Sequence, residues 1–169
     1  MEKIINKVAK SPLITFDLED YYHSGERVVY DIKQNLYQGL VLKEAEFRTF
    51  IKEHSWSSYQ DQNVAIMCSV EAIVPTWAFM LIAIKLEPFV NKVVLGDIEL
   101  LEKILFHDAI SQIDFQEFEG KKIVIKGCSN NKVPQFAYIE VARLLRQYAF
   151  SIMYGEPCST VPLFKKSVG

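Results

Sequence analysis

The sequence lacks the features that mark several common classes of protein. Its lysines and arginines are scattered, its formal net charge is −2 and its pI is about 5.9, whereas a nucleic-acid-binding domain is usually basic. Its longest apolar run, Ala72 to Ile84, has thirteen residues, and a membrane-spanning helix needs about twenty. The N-terminus shows no apolar core of a secretory signal. We therefore expect a cytoplasmic protein that binds neither nucleic acid nor membrane.

The motifs of the best-known nucleotide and hydrolytic sites are also missing. The chain has no Gly-Lys-Ser/Thr phosphate loop, no Gly-x-Gly-x-x-Gly fingerprint and no His-Glu-x-x-His pair. It has no Gly-x-Ser-x-Gly elbow for a catalytic serine and no Cys-x-x-Cys pair. Only seven glycines occur in 169 residues. The sequence therefore indicates no particular reaction, and it leaves open whether the protein is an enzyme.

The three cysteines carry the most informative pattern in the chain. An odd number of cysteines without a secretory signal indicates free thiols or metal ligands in a reducing compartment, not a disulfide framework. Each cysteine opens the same arrangement, in which Cys-Ser and a short spacer precede Val-Pro. The three copies begin at Cys68, Cys128 and Cys158.

The hydrophobic pattern predicts a single α/β domain of three layers, with a mostly parallel sheet. Residues 1–60 are expected to supply an antiparallel N-terminal strand pair, Leu13–Leu18 with Arg27–Ile32, followed by a helix. Residues 61–155 alternate strands and helices, which is typical of parallel sheets with right-handed crossovers. The last predicted helix opens at Pro134 and continues to Gly155, and residues 156–169 form a tail.

The candidate site lies where the predicted parallel strands end, because open α/β sheets bind ligands beyond the carboxyl ends of their strands. Helix N-termini at that edge favour anions and thiolates. The candidate ligand- or anion-binding residues are Cys68, Ser69, Asp97, Lys126, Gly127, Cys128 and Ser129.

A more specific hypothesis is that the cysteines bind a metal. Thiolates of Cys68, Cys128 and Cys158 would select zinc or an iron–sulfur cluster. The long predicted helix would carry Cys158 roughly 30 Å away from Cys128 at 1.5 Å per residue. Cys158 rejoins the site only if that helix is shorter, if residues 150–154 form a returning strand, or if a second subunit supplies it.

The structural interpretation of the same residues is that the cysteines only pack as small buried hydrophobes. The protein would then be a non-catalytic binding or structural module, dimeric through the apolar helix Pro75–Leu86. A third interpretation is an enzyme that acts on a small anionic substrate at the Cys128 turn. The histidines His23, His54 and His107 are expected to be structural, with His54 solvated or capping a helix.

Several stretches together resemble a bacterial family known as domain of unknown function 2480. They are Leu13–Glu19, Cys68-Ser69 with Ile73–Ala78, Ile125–Ser129 and Gly155–Leu163. The resemblance covers nearly the whole chain and implies a soluble cytoplasmic bacterial protein without an established activity. It further implies a genetic context beside iron–sulfur assembly proteins, which makes them candidate partners. The leading hypothesis is therefore a cytoplasmic accessory protein whose cysteines handle metal, iron–sulfur clusters or sulfur.

Overall fold

The computed structural model describes residues 12–127, 132–156 and 158–167, and in these ranges it has four α-helices and seven strands. In chain order they are β1 Leu13–Asp17, β2 Arg27–Asp31, α1 Glu44–Glu53, β3 Asn63–Met67, α2 Thr76–Leu86, β4 Lys92–Leu95, α3 Ile98–Ser111, β5 Lys122–Lys126, α4 Gln135–Leu145, β6 Ser151–Glu156 and β7 Ser159–Lys165. The mixed α/β class that the sequence predicts is confirmed.

The strands form two sheets, and each sheet belongs to one of two compact units. Unit 1 comprises residues 1–23 and 106–169, and unit 2 comprises residues 24–105. The sheet of unit 1 has the order β1-β5-β6-β7, and the sheet of unit 2 has the order β2-β3-β4. All pairings are parallel except that of β6 with β7. That the chain is a single domain stays a prediction.

The structure does not confirm the expected antiparallel pairing of the two N-terminal strands or the three-layer arrangement. Strand β1 pairs in parallel with β5, and β2 pairs in parallel with β3. The physical reason lies in β3 and β5, which are almost fully buried. Buried backbone N–H and C=O groups need partners on both sides of a strand. Each of these central strands therefore takes one N-terminal strand as its second neighbour.

The last predicted helix is shorter than expected. α4 ends at Leu145, and Ser151–Glu156 is strand β6 instead of the end of that helix. Pairing with β5 holds this segment in an extended conformation. The returning-strand alternative for residues 150–154 therefore matches the structure, and Gly155 lies within β6 instead of capping a helix.

Residues 44–96 and 103–155 form an internal structural repeat with a constant offset of 59 positions. The 3₁₀ helix Trp56–Tyr59, β3 and α2 have the same bounds, 59 positions apart, as the 3₁₀ helix Phe115–Phe118, β5 and α4. The backbone hydrogen bonds repeat as well. The bond from Ala78 N to Pro75 O corresponds to that from Ala137 N to Pro134 O, and both are 2.9 Å long.

The side chains of the two copies are buried at matching positions. Fully buried pairs, all 59 positions apart and at most 1% exposed, are Phe47 with Phe106, Ala78 with Ala137, Ile82 with Val141, and Leu86 with Leu145. The sequence indicates this repeat only faintly, as the recurrence of Cys-Ser and Val-Pro. Three of these four pairs are identical and the fourth pairs isoleucine with valine, so the buried core is the part of the repeat that is preserved.

The two N-terminal strands complete the repeat at an offset of 14 positions. β1 and β2 each have five residues, end in an aspartate and lead into a four-residue 3₁₀ helix. Asp17 accepts a hydrogen bond from Glu19 N and Asp31 accepts one from Lys33 N, each 3.0 Å long. Each unit therefore contains one N-terminal strand and one copy of the longer repeat, except that residues 103–105 of the second copy belong to unit 2. None of the helices in the described ranges is both long and apolar enough to cross a membrane.

Candidate functional site

Charged side chains gather at the carboxyl edge of the unit 1 sheet. Asp17, Lys126 and Glu156 are the last residues of the neighbouring strands β1, β5 and β6. Lys126 Nζ lies 3.3 Å from Asp17 Oδ2 and 3.9 Å from Glu156 Oε2. The hydrogen bond to Asp17 and the charges of Glu156 and Asp17 raise the pKa of Lys126. The lysine is therefore a positive charge between two negative ones.

Two tyrosines border this charged group. Tyr138, in the first turns of α4, donates a 2.5 Å hydrogen bond to the carbonyl of Gly127. The Tyr138 and Tyr154 rings are nearly perpendicular, with centroids 5.7 Å apart. A Cβ atom at Gly127 would lie 2.9 Å from the Leu18 Cβ and 3.1 Å from the Tyr138 hydroxyl. The close approach at this edge therefore requires glycine.

Three of the corresponding positions in unit 2 are apolar, although Asp31 and Asp97 stand where unit 1 has Asp17 and Glu156. The positions that carry Lys126, Tyr138 and Tyr154 in unit 1 carry Met67, Phe79 and Leu95 in unit 2. The same fold is thus built with and without these polar groups. Packing of the repeat does not require them, which favours a functional role for the polar set.

The structure divides the predicted site residues between the two units. Cys68, Ser69 and Asp97 follow strands of unit 2, whereas Lys126 and Gly127 belong to unit 1. The expectation that their strands end at one edge of a common sheet is therefore corrected. Asp97 Oδ1 accepts a 2.8 Å bond from Leu100 N at the start of α3, which is the helix-capping contact that its sequence position predicts.

The cysteines have different surroundings. Cys68 is half-buried against the unit 2 core, and its thiol donates a hydrogen bond to the Val70 carbonyl at 3.2 Å. Cys158 is exposed in the turn between β6 and β7. Its Val161-Pro162 pair lies inside β7, so this third copy does not open a helix as the first one does.

Two predicted residues, Cys128 and Ser129, lie outside the described residues. Within 12–127, 132–156 and 158–167, no three histidine, cysteine, aspartate or glutamate side chains are grouped as metal ligands would be. The three-cysteine metal site, which includes Cys128, stays a prediction.

Sequence reasoning missed a group of rings around His54 in unit 2. The His54 ring stacks on Phe50 with centroids 4.8 Å apart, and it meets Trp56 edge-on at 4.6 Å. Tyr59 and Tyr30 lie farther out, at 5.9 and 6.4 Å. Burial lowers the pKa of His54, which favours the neutral form of its imidazole. The available signal was the density of aromatic residues on both sides of His54.

Comparison with known proteins identifies the family. Residues 2–166 match the family described as protein of unknown function DUF2480. The chain belongs to this family. The resemblance drawn from the sequence motifs is thereby confirmed, and the family carries no assigned activity. Comparisons with curated proteins and with solved structures found no significant match.

Asp31 at the unit 2 edge makes stability depend on pH. Although burial by itself raises the pKa of Asp31, hydrogen bonds from Ser69 and from Lys33 N outweigh it and lower the pKa. A carboxyl group with a lowered pKa stabilises the fold above its unfolded pKa of about 3.9. That contribution is lost as the pH falls through the folded value.

We expect Asp31→Asn to lower the free energy of unfolding at pH 7 by about 0.5–1 kcal/mol. The difference from the unmodified protein should vanish towards pH 2, because the carboxylate is then protonated in both states. Urea denaturation at a series of pH values measures this. Asp20→Asn, at an exposed position, is the control. A difference that stays constant from pH 7 to pH 2 would contradict the assignment.

Proposed function

We propose that the protein is a non-catalytic binding module whose ligand site is the carboxyl edge of the unit 1 sheet. The observation that carries this proposal is the internal repeat. It keeps the fold the same in both copies, yet it places Lys126, Tyr138 and Tyr154 in one copy and apolar residues in the other. Ligand binding at the carboxyl ends of parallel strands is the usual arrangement in α/β sheets.

The charges at this edge suit a small zwitterion such as a free α-amino acid. Lys126 can pair with a ligand carboxylate, and the Glu156 carboxylate, which is 58% exposed, can pair with a ligand ammonium. A site that offers both a cation and an anion to the ligand can pair with both charges of a zwitterion. It therefore favours a zwitterion over a simple anion or a simple amine. The Tyr154 ring, 41% exposed, offers an apolar face to a side chain.

Lys126→Met tests this proposal with the residue that the other copy carries at Met67. We expect amino-acid binding by the unmodified protein and at least a tenfold loss of affinity in the variant, since a hydrogen bond to a charged group contributes about 1.5–3 kcal/mol. Isothermal titration calorimetry with a panel of amino acids, free cysteine included, measures the affinity. The melting temperature should change by only a few degrees, because the Lys126 ion pairs are partly accessible to water and surface ion pairs contribute about 0–1 kcal/mol.

The matched control is Lys166→Met. Lys166 also pairs with a carboxylate of unit 1, Glu119, at 3.2 Å, but it follows β7 near the amino end of β6. Equal losses in both variants would indicate a diffuse charge effect. That result, or a failure of every amino acid to bind the unmodified protein at millimolar concentration, would refute the proposal.

A second candidate function is the cysteine-based handling of metal, iron–sulfur clusters or sulfur. The observation that favours it is the position of Cys158. Because β6 returns in parallel beside β5, the chain reaches Cys158 beyond the carboxyl end of β6, at the edge where Lys126 and Glu156 lie. The contact of the Cys68 thiol with Val70 O supports a packing role for that cysteine instead.

Protein purified without oxygen should then contain zinc or iron, and Cys158→Ser should lower the metal content severalfold, because thiolates are the ligands that these metals favour. Elemental analysis and a visible spectrum measure the content. Cys68→Ala serves as the packing control and should retain the metal. A colourless, metal-free protein with three intact thiols would argue against this function.

We also keep the proposal of a homodimer through α2. Met80 and Ile84, one helical turn apart, are 59% and 65% exposed, and exposed apolar groups of this kind mark interaction surfaces. Sedimentation velocity should show a dimer that Met80→Lys dissociates, because a buried lysine charge is costly. A monomeric unmodified protein would exclude it.

A further inference from the structure

A cavity beside His54 in unit 2 combines an apolar wall with polar groups. Its volume is about 470 Å³, which falls in the range of about 300–1,000 Å³ that is usual for small-molecule sites. Trp56, Ile84 and Phe89 supply apolar surface, and His54, Ser57 and Lys85 supply polar groups. Every one of these residues belongs to unit 2.

His54 carries an unsatisfied polar atom. Its Nε2 is buried and has no hydrogen-bond partner in the described part of the chain. Leaving such an atom unpaired costs roughly 1–3 kcal/mol. The neighbouring Trp56, in contrast, donates its indole N–H to the Ile51 carbonyl at 2.8 Å. The fold thus gives the Trp56 indole N–H a hydrogen-bond partner but leaves the His54 Nε2 without one in the described part of the chain.

The internal repeat shows that packing does not require these polar residues. The positions of His54 and Lys85 in unit 2 are those of Ile113 and Leu144 in unit 1. Ile113 and Leu144 both pack against the core of their unit. Two apolar core contacts in one copy are therefore replaced by an imidazole and an ammonium group in the other, and both replacements line the same cavity.

We propose that this cavity binds a small aromatic monocarboxylate, with its ring against Ile84 and Phe89 and its carboxylate towards Lys85. Burying an aromatic ring supplies most of the binding free energy of such a ligand. The lysine and serine donors fix its orientation, since a carboxylate accepts strong charge-assisted hydrogen bonds. This site is separate from the edge proposed for the zwitterion, and either can fail without the other.

The experiment titrates benzoate into the full-length protein by isothermal titration calorimetry, with benzyl alcohol as the uncharged analogue. Benzoate should bind more tightly than benzyl alcohol. Lys85→Leu, which copies Leu144, should weaken benzoate at least about tenfold and leave benzyl alcohol unchanged. His54→Ile, which copies Ile113, should not lower the melting temperature, because the Nε2 atom that it removes is buried and has no partner in the described part of the chain.

Lys52→Leu, at an exposed position of α1, is the matched charge control and should bind benzoate normally. No binding of benzoate at millimolar concentration, or an equal loss in Lys52→Leu and Lys85→Leu, would overturn the proposal. If circular dichroism shows a variant to be unfolded, amide signals of the unmodified protein decide the matter. Benzoate should shift those of Trp56, Lys85 and Phe89, and shifts centred elsewhere would refute the site.

Discussion

The structure depends on the need of two buried strands for hydrogen-bonding neighbours on both sides. β3 and β5 lie at the centre of their units, where water cannot satisfy their backbone groups. On one side, β3 pairs with β4 and β5 pairs with β6. On the other side, β3 pairs with β2 and β5 pairs with β1, so the N-terminal segment contributes one strand to each unit. The pairing of one N-terminal strand with each central strand meets this requirement.

The same arrangement explains where chemistry can occur. Because both central strands run parallel to their neighbours, their carboxyl ends gather the residues that follow each strand. In unit 1 these residues are Asp17, Lys126 and Glu156. In unit 2, Asp31 and Asp97 remain, but each accepts backbone hydrogen bonds. Asp17 and Asp31 thus both accept a backbone hydrogen bond in the turn that follows their strand, and the difference between the copies is the lysine that lies between two carboxylates in unit 1.

The internal repeat allows each position in one copy to be compared with the corresponding position in the other. Where both copies bury apolar side chains, as at Ala78 and Ala137, the position serves the fold. Where one copy is apolar and the other polar, packing tolerates either residue, and the polar one needs another explanation. Lys126 in unit 1 and His54 and Lys85 in unit 2 are positions of this second kind. Cys68, in contrast, already donates its thiol to the neighbouring Val70 carbonyl.

Hydrophobic periodicity by itself determined the α/β class and most of the helices and strands, because the spacing of apolar residues along the chain differs between the two. The motifs determined the family, and the strand ends made Lys126 and Gly127 candidate site residues. Only the tertiary structure decided which strands are neighbours, since β1 and β5 are paired across more than a hundred residues of sequence. It made Ser151–Glu156 a strand by pairing it with β5, separated Cys68 from Lys126 into different units, and brought Tyr30 to the rings that flank His54 in sequence.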